Sequence, residues 1–197
     1  MNDVKVNELL EFYKDLELVF SEFQKTNELS CPEGCGSCCL YPEIEASPVE
    51  MLPMAAFLIK ENKAEEFLSR LEDHPQRCVA YQAQSLNGEK GTCGAYQYRP
   101  TICRMFGVAG VSSKDHSTKY SICGKLKAEK FKEVQRLESE RPAPPMMHEW
   151  THKLLRFDPD ILAKRQPINL ALKEALLKLL YLEDLHKNSM VTLSSLS

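Results

Sequence analysis

The 197-residue sequence predicts an α-rich α+β fold: a cysteine-rich metal-binding loop and a small β-hairpin packed among helices, followed by a helical C-terminal part. Three observations lead there. Apolar residues recur at spacings of three and four over residues 6–26 and over much of the chain beyond residue 125. Two short β-prone runs flank an Asn-Gly turn between residues 78 and 98. Between the first helix and the next, residues 28–46 carry four cysteines together with Pro32, Gly34, Gly36 and Pro42, which leaves little room for regular structure.

The elements follow in order. Over residues 6–26, Leu9, Phe12 or Tyr13, Leu16, Val19 or Phe20, and Phe23 fall on one helical face. The other face is acidic, with seven acids against three bases in residues 1–30, and reads as a solvated surface. Ser47-Pro48-Val49-Glu50 is a capping box: the serine can accept from the third amide and the glutamate can reach back to the cap. Pro53 falls early in that helix and predicts a kink. A second short helix covers about Ala64–Leu71. Cys78–Tyr81 and Thr92–Tyr96 flank Asn87-Gly88 and Gly91 as a hairpin. After Arg99-Pro100 a short turn or helix carries Cys103 and Arg104. Residues 107–121 are rich in Gly and Ser, and the one strand signal is Val108–Val111. Helices are expected at 125–139, 146–156 and 168–185, broken by Arg141-Pro-Ala-Pro-Pro145 and by Asp158-Pro159-Asp160, with a frayed tail from Asn188. These breaks divide the chain into a cysteine-bearing domain, 1–140, and a helical extension, 141–197. Ile168 and eight leucines from Leu170 to Leu185 cover more than one stripe. Such a helix is either buried in the core or pairs two copies as a homodimer.

Composition narrows the function. Lys+Arg 25 against Asp+Glu 28 gives −3, so no field of one sign draws the chain to nucleic acid or an anionic membrane. The N-terminus lacks the uncharged apolar run of a signal peptide, and no stretch reaches the roughly 18 apolar residues of a membrane span. A cytoplasmic protein is expected, where thiols stay reduced and clustered cysteines bind metal more often than they form disulfides.

Cys31-x3-Cys35-Gly36-Ser37-Cys38-Cys39 places four thiols within nine residues. Thiolate is a soft anionic ligand suited to zinc, iron or an iron–sulfur cluster. Gly34 and Gly36 let backbone amides turn toward sulfur. Adjacent side chains reach one tetrahedral ion only with strain, so Cys38 and Cys39 are expected to serve different centres or different irons of one cluster, unless one of them packs. Cys78 and Cys93 on the hairpin arms, Cys103 after it, and Cys123 before a helix are placed to close on the loop. Eight sulfurs suffice for two four-thiolate sites, or for one cluster plus one zinc. The surplus of thiolates favours a four-iron four-sulfur cluster over a single zinc. Arg99 and Arg104 flank Cys103 and are expected around the ligands, at least one of them buried against thiolate charge or against Glu43 or Glu45.

The run Cys31-x3-Cys35-Gly36-x-Cys38-Cys39, then Cys78, then Cys93-x2-Tyr96-x2-Arg99-Pro100-x2-Cys103-Arg104 resembles the YkgJ-type cysteine-cluster family of zinc- or iron-chelating domains, over about residues 31–123. This sequence has Val79 and Gly107 where that pattern often has proline. The resemblance implies metal or iron–sulfur binding with no assigned reaction. One relative, the flagellin lysine methylase, couples such a domain to protein methylation, but no glycine-rich strand-to-helix turn for S-adenosylmethionine is present here.

A second motif stands apart. His148-Glu149-Trp150-Thr151-His152 matches H-E-x-x-H, with Glu174 downstream as a possible third ligand of a metallopeptidase. Lys153 charges a position such motifs keep neutral, and the chain lacks strands for a peptide-binding sheet. Ordinary helix-surface histidines are the alternative; His74, His116 and His186 read the same way, and Trp150 reads as a packing residue.

Overall fold

The acidic amphipathic segment forms helix α1, Asp3–Thr26, in a computed structural model that describes residues 3–32, 35–41, 43–73, 77–85 and 90–194. Gly34, Pro42, His74 and the Asn87-Gly88 turn lie outside the described residues, as do the side chains of His186 and the tail from Asn188. Leu9, Phe12, Tyr13, Leu16 and Phe20 of α1 are buried as one stripe. They meet aromatic residues from far along the chain: the Phe12 ring lies 5.7 Å from both Trp150 and Phe157, and Phe20 lies 6.4 Å from Trp150. Lys5 Nζ donates to the Phe157 carbonyl at 3.0 Å along the same seam.

The Ser47–Glu50 box predicts a helix starting there, but helix α2 is Leu52–Lys60 with Met51 at its N-cap position, and the box closes the turn that leads into it. Ser47 N donates to Glu50 Oε2 at 2.9 Å, and Glu50 N donates to Ser47 Oγ at 3.3 Å. Pro53 falls in the first turn of α2, where its missing N–H costs no helical bond. Helix α3 covers Ala64–Asp73. Strand β1, Glu45–Ala46, pairs antiparallel with a distant strand, Gln166–Pro167. Strands β2, Tyr81–Ala83, and β3, Gly91–Cys93, form the expected hairpin with Tyr81 opposite Cys93. Helix α4 is the short Thr101–Arg104.

Residues 107–122 differ from the sequence reading. They form a second hairpin, β4, Val108–Ser112, against β5, Thr118–Ile122. Its turn is closed by Asp115, whose Oδ1 accepts from Ser117 N at 3.1 Å and from Ser117 Oγ at 2.7 Å. The β5 sequence Thr-Lys-Tyr-Ser-Ile is mostly exposed, so it carries no apolar run to betray it. The helix expected over 125–139 is two helices, α5, Gly124–Glu129, and α6, Phe131–Glu140, broken at Lys130. Helix α7 is Met147–Lys153, and β6, Gln166–Pro167, leads directly into α8, Ile168–Ser194, which runs past its expected end at 185.

The result is an α-rich α+β fold, with three two-stranded antiparallel sheets among the described residues. Its main core draws on residues from Leu9 to Leu179, with α2 packed against α8. A smaller core of Leu29, Val108, Leu126, Val134 and Leu137 lies under α5, α6 and the second hairpin. No helix among the described residues is long and apolar enough to cross a membrane.

Candidate metal centre

The cysteine loop is held against the first hairpin by close backbone contact. Cys38 and Cys39 lie in a 3-10 turn, Ser37–Leu40, closed by Cys39 N donating to Gly36 O at 2.9 Å. Gly36 is buried against the hairpin, and a Cβ there would collide with the Tyr81 ring and the Gly91 carbonyl. Cys78 N donates to Cys39 O at 3.0 Å, which ties the start of the hairpin to the loop. Cys103 is brought in by α4, whose first turn has Cys103 N donating to Pro100 O at 3.1 Å. Cys123 N donates to Gly107 O at 2.8 Å, beside the second hairpin.

Seven cysteines, Cys31, Cys35, Cys38, Cys39, Cys78, Cys93 and Cys103, line one cavity of about 380 Å³. Cys123 does not line it, but its thiol lies near enough to act electrostatically on Cys31. The sulfurs surround the space rather than meet at a point: among the described residues, no three Cys, His, Asp or Glu side chains converge on one ion-sized position.

Crowding shows in the thiol acidities. The neighbouring Cys39 thiol together with burial drives the Cys38 thiol far up. Cys39 is lowered by its contact with Cys38 but raised by Cys78 and by burial, and ends pushed up to about 12. Burial, with Cys38, Cys39 and Cys93 close by, raises Cys103 well above the usual thiol range. Cys93 is raised by burial as well. Cys31 reaches solvent on one side, yet desolvation by the packing around it, then Cys35, Cys123 and Cys38, pushes it up to about 11. Thiols gathered in a poorly hydrated space cannot ionise together without a cation. A metal supplies that charge and holds them as thiolates, so the donor set fits zinc, iron or an iron–sulfur cluster.

The arginines lie on the same cavity wall. Arg104 is 7% exposed. Its Nε donates to Arg99 O at 2.9 Å, one terminal nitrogen donates to Gln97 O at 2.5 Å, and the other is paired with Glu17. Its guanidinium also lies 4.8 Å from the Tyr13 ring centroid. Arg99 stacks on Tyr96 at 3.5 Å and reaches Glu17 at 3.7 Å. Its charge lowers Cys31, Cys38, Cys93 and Cys103 against the upward push of burial. The carboxylate partner is therefore Glu17, in place of the expected Glu43 or Glu45. Helix α1 packs against α4 and brings Glu17 over both arginines, whereas Glu45 is exposed on β1.

Several residues at the site escaped the sequence reading. Glu17 sat in the acidic face assigned to solvent. Gln24 donates from Nε2 to Phe106 O at 2.9 Å and packs where a Cβ on Gly107 would lie. Gly107 has φ +106, which proline cannot adopt, so the departure from the proline pattern has a backbone reason. Asn169 on α8 brackets Cys78: its Nδ2 donates to Arg77 O at 2.6 Å, and Val79 N donates to its Oδ1 at 3.0 Å. Proline at position 79 would have no such N–H, which accounts for the second departure. No spacing rule could link Asn169 to a cysteine about ninety residues earlier.

The H-E-x-x-H residues are elsewhere, on α7. His148 and His152 are exposed and do not line the cysteine cavity. Glu174 accepts from Gln166 Nε2 at 2.9 Å. Trp150 is buried in the core, as its packing assignment required.

No curated protein and no solved structure matches the chain. A family model does, under the description "Putative zinc- or iron-chelating domain", over residues 30–137. That span takes in all eight cysteines, Arg99, Arg104 and both hairpins, and it covers more than half of the chain, which therefore belongs to the CxxCxxCC family of zinc- or iron-chelating domains.

Proposed function

We propose that the protein holds an iron–sulfur cluster, a four-iron centre, within the cysteine cavity. One observation carries the reading: seven cysteines line one shared cavity, more thiols than a single tetrahedral ion takes. A lone tetrahedral zinc takes four ligands meeting at one point, whereas a cluster spreads its ligands over several irons. Cys31, Cys35, Cys38, Cys39, Cys78, Cys93 and Cys103 are the pool from which the ligands come, and Cys123 does not line the cavity. Arg99 and Arg104 offset the thiolate charge.

Anaerobic purification followed by iron, acid-labile sulfide and zinc analysis tests this. The expected result is a brown protein with broad visible absorption and iron and sulfide in equal amounts. Colourless protein with stoichiometric zinc and no sulfide would replace the cluster with the zinc reading, which the family description also admits. The cluster reading places the chain in a reducing compartment such as the cytoplasm, with its reaction unassigned.

The chain is also proposed to form a homodimer through 168–185. Leu170, Leu177, Tyr181 and Leu185 are exposed on α8. An antiparallel pair of α8 helices would cover them and set Glu174 opposite Lys178 of the second copy. Sedimentation should give a dimer that Leu177→Glu converts to monomer, and a monomeric parent would refute it.

A further inference from the structure

We propose that His148 and His152 form a surface site for one first-row divalent transition ion, independent of the cysteine cavity. The pair lies four residues apart on α7, so both imidazoles project from one face. Their ring centroids are 6.0 Å apart and the planes cross at 81°. Both rings are exposed, so small rotations bring two nitrogens to the roughly 2.0–2.1 Å of a metal–imidazole bond. The backbone beneath them is fixed. Trp150 on the opposite face is 8% exposed and packs against Phe12 and Phe20, and Leu154 is fully buried. Lys153 lies over the Trp150 ring at 3.6 Å, which holds its ammonium to the tryptophan and away from the histidine pair.

The rings line a shallow hollow of about 360 Å³ with Ser112, Met147, Thr151 and Leu162. Thr151 Oγ1 donates to the Met147 carbonyl at 2.8 Å, so the hydroxyl is engaged with backbone. The hollow leaves space for water on the remaining coordination positions. Among the described residues no third Cys, His, Asp or Glu completes the set, and Glu174 is bound to Gln166. The arrangement is thus a two-imidazole chelate rather than a peptidase centre. Imidazole donors suit copper, nickel and zinc, and affinity rises from nickel to copper. Carboxylate-seeking magnesium and calcium are excluded by the donor chemistry.

Nickel(II) is the probe, because thiols do not reduce it. It is titrated calorimetrically into the full chain carrying the metal it was purified with, at fixed pH. One equivalent should bind to the parent, and it should broaden the His148 and His152 imidazole NMR signals. His148→Ala and His152→Ala should each weaken that event by about tenfold or more, while the cysteine-bound metal is retained. Glu149→Ala, on the same helix, should leave nickel binding within about twofold, which separates loss of the chelate from a disturbed helix. Equal nickel binding by the double histidine variant, broadening centred on other residues, or no binding by the parent would each overturn the site.

Discussion

At the scale of single residues, Arg104 and Asn169 show how the cysteines are held. Arg104 places all of its donating edges on Arg99 O, Gln97 O and Glu17, and its side chain is 4% exposed. Lysine keeps the charge but cannot bridge three acceptors from one planar group. Arg104→Lys should cost roughly 1–3 kcal/mol in urea unfolding and shorten metal retention under a chelator. A lysine variant that held metal like the parent would show that the fork geometry is irrelevant. Asn169→Ala removes both bonds around Cys78 and leaves Val79 N–H without its partner. It should lower stability by about 1 kcal/mol yet speed metal loss well beyond that, because the backbone that carries Cys78 loses its clamp. Chelator-challenge rates measured beside unfolding curves distinguish the two effects. Asn169→Asp, which keeps the acceptor for Val79 N–H, should recover part of the retention.

At the scale of elements, the metal loop and the start of α2 depend on different physics. Among the described residues of 31–41, Cys39 is the one buried apolar side chain, so apolar burial cannot order them alone. Removing metal, or Cys35→Ser, should therefore lower the melting temperature and open the amides of this loop to hydrogen exchange. An unchanged melting temperature in metal-free protein would make the centre a site of function rather than of structure. The start of α2 rests on the capping box and on Glu50, which is fully buried with Oε2 accepting from Ser47 and from Arg165 at 3.3 Å. Its other oxygen has no partner. Ser47→Ala should cost about 0.5–1.5 kcal/mol through the lost hydroxyl bonds to Glu50. Glu50→Ala should cost more, about 3–5 kcal/mol, since it also strands the Arg165 guanidinium beside β1. Thermal and urea unfolding of the two variants rank them, and the reverse order would mean that the buried pair contributes nothing beyond the cap.

At the scale of the whole molecule, two cores divide the labour. The larger one joins α1, α2, α7 and α8 and supports the cysteine cavity, while the smaller one seats the second hairpin on α5 and α6. Leu137→Ala in the smaller core should cost about 2–5 kcal/mol and leave the bound metal in place, because Cys123 is the one cysteine packed there. Metal content measured after gel filtration of the folded variant checks this, and loss of metal in step with stability would show that the two cores act as one.

How much of this was legible depended on the range of each interaction. Sequence by itself determined the amphipathic stripe of α1, the Ser47–Glu50 cap, the first hairpin and the cysteine spacing, because turns, caps and short chelating loops are set by residues a few positions apart. It also read as solvated the acid Glu17 that the fold turns onto Arg99 and Arg104, and it missed β5 and the pairing of Glu45–Ala46 with Gln166–Pro167. Only the tertiary structure decided those, together with the bracketing of Cys78 by Asn169. The physical reason is that a two-residue strand has no periodicity, and an exposed-looking acid or amide declares its partner only when chain closure brings a distant donor within 3 Å or so.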